Sequence, residues 1–218
     1  MAKSNSFATF LIIGPTCFFL GVLFILLPYD YHILWAPPSP NAPPGKTMED
    51  YFLLQETHLK FLHASPPLVP RIQNLIVGVG LLGFIIKLYK PSEANLLFDG
   101  ASLVLYMVGI TVYIANIVKG LRMVTAGEYG SMELVEAEAV AGSGQVELEG
   151  TGIGREDSLR VLAASNTILA LVLVGVLVLQ AGQWYAERKE EDEMAEMDQK
   201  AAEKKRTASS SGSSKKNK

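Results

Sequence analysis

FATFLIIGPTCFFLGVLFILL, residues Phe7 to Leu27, runs for 21 positions without a charged side chain. At about 1.5 Å of rise per residue, a helix of that length crosses a hydrocarbon core of about 30 Å. Lipid offers no water to the backbone, so a segment that spans it has to bond its amides internally, as a helix does. Three more stretches read the same way. The second, Ile72 to Tyr89, contains one charge, Lys87, whose aliphatic stem is expected to snorkel to the headgroups. The third runs uncharged from Gly100 to Val118 and the fourth from Val161 to Ala186. The expected fold is an all-α membrane protein, a bundle of four transmembrane helices over residues 1–186 followed by a charged tail over 187–218.

Composition agrees with this reading. Of 218 residues 49% are hydrophobic and 19% charged, and the charge is concentrated between the four runs. That distribution excludes a disordered or collagen-like chain. The lone Cys17 excludes a disulfide framework or a Cys-based zinc site, and it is read as a small packing residue. A net charge of −3 gives no reason to expect nucleic-acid binding. The first run is too long for the roughly 7–15-residue core of a secretory signal, and bulky Pro28-Tyr29-Asp30-Tyr31 stands where small cleavage-site residues belong, so it is read as a retained anchor.

Lys and Arg counts orient the bundle. The tail carries Arg188, Lys189, Lys200, Lys204, Lys205, Arg206, Lys215, Lys216 and Lys218, and the short loop after the second run begins with Lys90. The long loops, 28–71 and 119–160, hold far fewer for their length. Both termini and the short loop are therefore expected in the cytosol, with the long loops on the far side. In the first of these, Thr47-Met48-Glu49-Asp50 forms a capping-box pattern opening a short helix, with Tyr51, Leu54, His58, Phe61 and Leu62 at helical spacing. It is expected to lie on the membrane face. The second long loop, rich in Gly, Glu and Ala, is expected to stay flexible. In the tail, residues 187–206 read as a solvated helix continuing the fourth span, and 207–214 as a Ser/Gly linker.

Gly78-Val79-Gly80-Leu81-Leu82-Gly83 matches a dinucleotide fingerprint by letter, but it lies inside an apolar span with no preceding strand, and its glycines are read as surfaces for close helix approach. Asn74, Asn116, Ser165 and Asn166 fall at membrane depth, with Asp30 and Asp99 at span ends; such groups are expected to face the bundle interior or another protein's helix. Enzyme chemistry has no support. His58 and His63 point about 140° apart on a helix, His32 is distant, and no cofactor site is recognisable. At the end of the tail, Lys215 and Lys216 resemble the dilysine signal by which the coat of Golgi-to-ER vesicles retrieves membrane proteins.

Several short motifs together resemble one known family. They are Pro28-Tyr29-Asp30-Tyr31 closing the first span, the Leu62-His63 to Pro66 turn, the Lys87 to Pro91 loop, Ala164-Ser165-Asn166 at the start of the fourth span, and Trp184-Tyr185 at its exit. In that order and spacing they are similar to the fungal ER membrane chaperone that packages amino acid permeases, the super-high-histidine-resistance family. The similarity covers residues 7–186 and departs from the family over the Glu/Gly-rich stretch 133–154. It implies an ER-resident, non-enzymatic chaperone whose bundle shields newly made amino acid permeases from aggregation and whose tail works beside vesicle coat components. The residues that carry it, with Gly78, Gly80, Gly83 and Asn116, are candidates either for client contact or for packing the bundle. A small transporter, or an auxiliary subunit of a plasma-membrane transporter, is the alternative, and steady-state location separates the two.

Overall fold

The computed structural model describes residues 2–89, 93–127, 129 and 154–213. Its helices are α1 (Ala2–Leu34), α2 (Met48–His63), α3 (Leu68–Leu88), α4 (Glu93–Val112), α5 (Lys119–Ala126) and α6 (Arg155–Ser213), with a π-helical turn, Tyr113–Val118, joining α4 to α5 without a break. Four helical stretches are long and apolar enough to cross a membrane: Phe7–Leu34, Leu68–Leu88, Leu96–Ala126 and Arg155–Lys204. α6 packs on α4 and α1, α3 packs on α1 and α4, and α2 lies across one end against α5, α1 and α6.

The four expected spans are all present, and each of 7–27, 100–118 and 161–186 lies inside a longer helix. An apolar run marks where lipid begins, whereas helix propagates cheaply into polar residues once nucleated. Pro28 therefore sits inside α1, not after it. The loop expected over 119–160 begins only at Gly127, whose φ of 71° ends α5 in the left-handed conformation that glycine adopts without strain. The linker expected from Thr207 is helical as far as Ser213. The stretch of the second long loop expected to be flexible lies, at 128 and 130–153, outside the described residues.

α6 shows how the bundle is built. Its buried positions Leu159, Leu162, Asn166, Leu169, Leu173, Val176, Gln180 and Gln183 recur at alternating intervals of three and four. This is the heptad seam that keeps a helix facing its neighbours in a left-handed bundle. In the middle of the seam Leu169, Leu173 and Val176 join Ile12, Phe19, Leu23, Phe84 and Tyr106 in one apolar core. Near one end, Leu159 and Leu162 join Ile33, Phe52, Leu59 and Val124 in a second core under α2.

The glycines of the α3 motif divide by face. Gly83 seats α3 on α1, where a Cβ would stand 2.9 Å from Ile12 Cγ1 and 3.1 Å from the Ala8 carbonyl oxygen. A Cβ at Gly80 would overlap the Tyr106 ring, while Gly78 has open space around it. Gly175 and Gly182 pack more loosely, each with a Cβ position 3.4 Å from a side chain of α4.

Gly83→Ala is expected to overpack the α1–α3 seam and destabilise the bundle by about 1–3 kcal/mol. Gly78→Ala, in the same helix but with open space, is expected to be neutral or stabilising by up to about 1 kcal/mol. Unfolding midpoints of the two variants in detergent micelles check the contrast.

Candidate functional site

Two clusters of polar side chains close the bundle at opposite ends. At the α2 end, Asp30 is 4% exposed although it lies in α1 two residues beyond Pro28. Gln55 Nε2 of α2 donates to its Oδ1 at 2.8 Å, and Asn166 Nδ2 of α6 donates to its Oδ2 at 2.9 Å. Ser165 turns its hydroxyl back to the Val161 carbonyl at 2.8 Å. The Tyr29 ring stacks on His58 with centroids 3.9 Å apart, and His32 stacks on Tyr51 at 4.2 Å. One carboxylate thus ties three helices together.

α2 is placed by its own sequence. Thr47 caps it, accepting from the Asp50 N–H while Asp50 accepts from the Thr47 backbone, the reciprocal pattern the sequence predicts. The Thr47 hydroxyl and then the Thr47 backbone N–H, both donating to it, hold the Asp50 carboxyl below its usual range. The face α2 turns to the bundle is a mixed one. Phe52, Gln55, Glu56 and Leu59 are buried, while Leu54, Phe61 and Leu62 are exposed, so the apolar stripe looks away from the bundle. The inward polar residues are matched by polar partners: Gln55 by Asp30, and Glu56 by Lys60 at 2.7 Å and Arg155 Nε at 2.8 Å. Arg155 also reaches Glu49 at 2.7 Å. Burial raises the Glu56 carboxyl, but the hydrogen bonds and charges of Lys60 and Arg155 outweigh it and the group lies below its usual range. Burial alone depresses His58, and burial beside Glu56 pushes the Tyr129 hydroxyl up to about 12.

At the other end, Lys87 corrects a further expectation. Its ammonium does not snorkel outward: the side chain is 3% exposed and donates to Asp99 Oδ1 at 2.9 Å, Gln180 Oε1 at 2.9 Å and Gln183 Oε1 at 2.8 Å. Gln180 and Gln183 in turn donate to Asp99, and Gln180 also reaches Ser102 at 3.1 Å. All three ammonium protons have acceptors, so the stem is drawn inward where the partners are. α3, α4 and α6 meet at this one cation. Gln180 and Gln183 escaped the sequence reading, yet they continue the three-and-four spacing of Leu169, Leu173 and Val176. A polar pair in the register of a buried seam is the signal that could have found them.

The remaining candidates fall elsewhere. Pro28 and Tyr31 face outward from α1. Asn116, in the π-turn, and Asn74, in α3, are exposed and their side chains make no hydrogen bond among the described residues, so of the two expected placements they do not take the bundle interior. Their helices turn these positions away from the seams that Gly120 and Gly80 occupy. Cys17 is exposed on α1, not packed in the core. Lys215 and Lys216 lie outside the described residues. No group of three or more metal-ligating side chains is assembled among the described residues.

A bundle whose buried polar groups pair with one another, and whose apolar surface is left open, is suited to holding other membrane segments. The family model described as SHR3 chaperone, ER membrane protein SH3, matches residues 3–218. The chain belongs to the SHR3 chaperone family. The secretory component protein psh3 of Schizosaccharomyces pombe is similar to it, 23% identical over 197 residues that cover 85% of this chain and 78% of that protein. No solved structure matches. An SHR3-family chain is an ER membrane protein of a non-enzymatic chaperone family, and the two polar clusters are then read as what holds its bundle together.

Two outcomes test the clusters. Lys87→Met leaves the Asp99 carboxylate buried without its counter-charge, and a loss of about 3–5 kcal/mol in detergent unfolding is expected. Acid should loosen α2. Glu56 and His58 both have depressed values in the fold, so the stability each contributes is present above its unfolded value and is lost as pH falls, His58 acting below its ordinary value of 6.5 and Glu56 below 4.5. Hydrogen exchange of α2 amides, corrected for intrinsic rate, should show protection falling from pH 7 to pH 5. His58→Phe, which keeps the stack on Tyr29, should abolish most of that change.

Proposed function

We propose that this protein shields newly made amino acid permeases in the ER membrane and assists their loading into ER-exit vesicles, while it remains behind. Family membership across residues 3–218 carries the reading, and the named secretory relative supports it. The bundle is the client-binding element. Asp30, Ser165 and Asn166 are spent on its own hydrogen bonds. Pro28, Tyr31 and Asn116, facing outward, are left for clients. Contacts between helices in lipid are worth about 1 kcal/mol each, which suits a holder that has to release.

Both termini are placed in the cytosol on the Lys/Arg count, which puts α2 and the Asp30 cluster on the lumenal side. Beyond Ala186, α6 continues for 27 residues to Ser213, a rod of about 40 Å. Its exposed ion pairs, Lys200–Glu196 at 3.4 Å and Lys189–Glu193 at 4.0 Å, are four residues apart and favour the helix over coil. The rod would carry Lys215 and Lys216 clear of the headgroups toward vesicle coat components.

Full-length tagged chain in mild-detergent microsomes is expected to bring down newly synthesised amino acid permeases and not unrelated membrane proteins. Its deletion is expected to remove permeases from the cell surface while other cargo arrives normally. A normal surface population would overturn the reading. Lys215→Ser with Lys216→Ser is expected to spread the protein into the Golgi, seen by fluorescence, without reducing permease capture.

A further inference from the structure

Asp30 keeps a buried carboxylate without a counter-charge. It is 4% exposed, and its bonds come from two neutral amides, Gln55 Nε2 to Oδ1 and Asn166 Nδ2 to Oδ2. The ion pairs at this end of the bundle run through Glu56, Lys60 and Arg155, and among the described residues none reaches Asp30. At the other end Asp99 has the Lys87 ammonium at 2.9 Å. A carboxylate withdrawn from water is costly unless a cation faces it. His58, three residues beyond Gln55 on α2, does not supply one: it is stacked on Tyr29, and burial holds it below its ordinary value of 6.5, uncharged at neutral pH.

The nitrogens of both amides are spent on Asp30, but their oxygens are not. Gln55 Oε1 and Asn166 Oδ1 are buried and accept from no donor among the described residues, in side chains of residues only 2% and 5% exposed. Each carbonyl oxygen shares a rigid plane with the nitrogen that touches the carboxylate, so it is held beside Asp30. A carboxylate oxygen has two acceptor sites, and each amide fills one. α1, α2 and α6 thus gather one carboxylate and two carbonyl oxygens, all short of positive charge. We propose that Asp30, Gln55 and Asn166 bind one alkali cation. Hard cations take oxygens of this kind. Charge balance selects the valence: one carboxylate neutralises one monovalent ion, whereas a divalent ion would leave excess charge buried, and among the described residues no three His, Cys, Asp or Glu side chains gather to hold one. A water molecule could donate to the carbonyls but would leave the carboxylate unneutralised. α2 is not one of the four membrane-spanning stretches and contributes Gln55, so the ion enters from the aqueous side and is held only while α2 is seated.

The test measures the unfolding midpoint of the full chain in a nonionic detergent at neutral pH, with sodium, potassium or choline chloride at one ionic strength. Sodium or potassium at ten times its dissociation constant is expected to raise the midpoint by about 3–6 °C over choline, and to slow hydrogen exchange of α2 amides. Equal midpoints in the three salts overturn the site, and a proton or water then suffices for Asp30. Asp30→Asn is expected to lose the response; a response that survives it overturns the site. Gln55→Glu gives a second test that does not depend on Asp30→Asn folding. It adds a second carboxylate to the same oxygens and is expected to gain a midpoint rise with calcium chloride that the native chain lacks. Calcium acting alike on both chains overturns the assignment.

Discussion

A polar side chain inside a membrane bundle has no water to fall back on, and this protein meets that constraint by collecting its buried polar groups at two levels. Asp30 with Gln55 and Asn166 closes one end, and Lys87 with Asp99, Gln180 and Gln183 closes the other. Between them the seam of α6 is apolar, built from Leu169, Leu173 and Val176. Dispersion alone gives little choice of register in lipid, since tails are as apolar as leucine. The two clusters supply that choice. Sliding α6 by one turn would strand Asn166 and both glutamines together, so the register of α6 against α1, α3 and α4 is set at two points along its length.

The same constraint explains how far the residues alone could be read. Span existence follows from apolar length, and four runs led to four helices. Orientation of a side chain on its helix depends on partners contributed by other helices. Lys87 looked like a snorkelling residue because the sequence around it shows an exit to headgroups and not the two glutamines more than ninety residues away. α2 was legible as a helix through Thr47 and Asp50, which are local, and illegible as to its buried face. That face is chosen by Asp30 and Arg155, which are not local. The polarity of Asn116 allowed either the interior or an outward face, and the π-turn through Tyr113–Val118 sets a local rotation that apolar periodicity does not reveal. The family resemblance, by contrast, rests on short local motifs, and the match over residues 3–218 agrees with it.

The placement of α2 also bears on function. Its outward Leu54 and Phe61 make it amphipathic in a direction that favours contact with the membrane surface or a client, while Gln55 and Glu56 anchor it to the bundle. Because Glu56 draws on Arg155 at the start of α6 and Gln55 on Asp30 in α1, α2 cannot lift without exposing charges that the bundle has paired. The helix is thus a cap whose retention is electrostatic and whose free surface is apolar.

A chaperone for membrane helices has to reconcile two demands. Its own bundle must be complete, or it would itself require a holder, yet some group on its surface must remain unsatisfied, or a client would gain nothing over lipid. The distribution of polar groups in this chain separates the two. The charges at the described seams, Asp30, Glu56, Lys87 and Asp99, are each bonded across helices, so the bundle completes these bonds within itself. The open group, the Asn116 amide, belongs to a feature that costs the bundle little to leave exposed, a π-turn. A single hydrogen bond at such a place is strong enough to bias where a nascent helix rests and weak enough to yield when that helix finds its own neighbours, which is the order of events that handover requires.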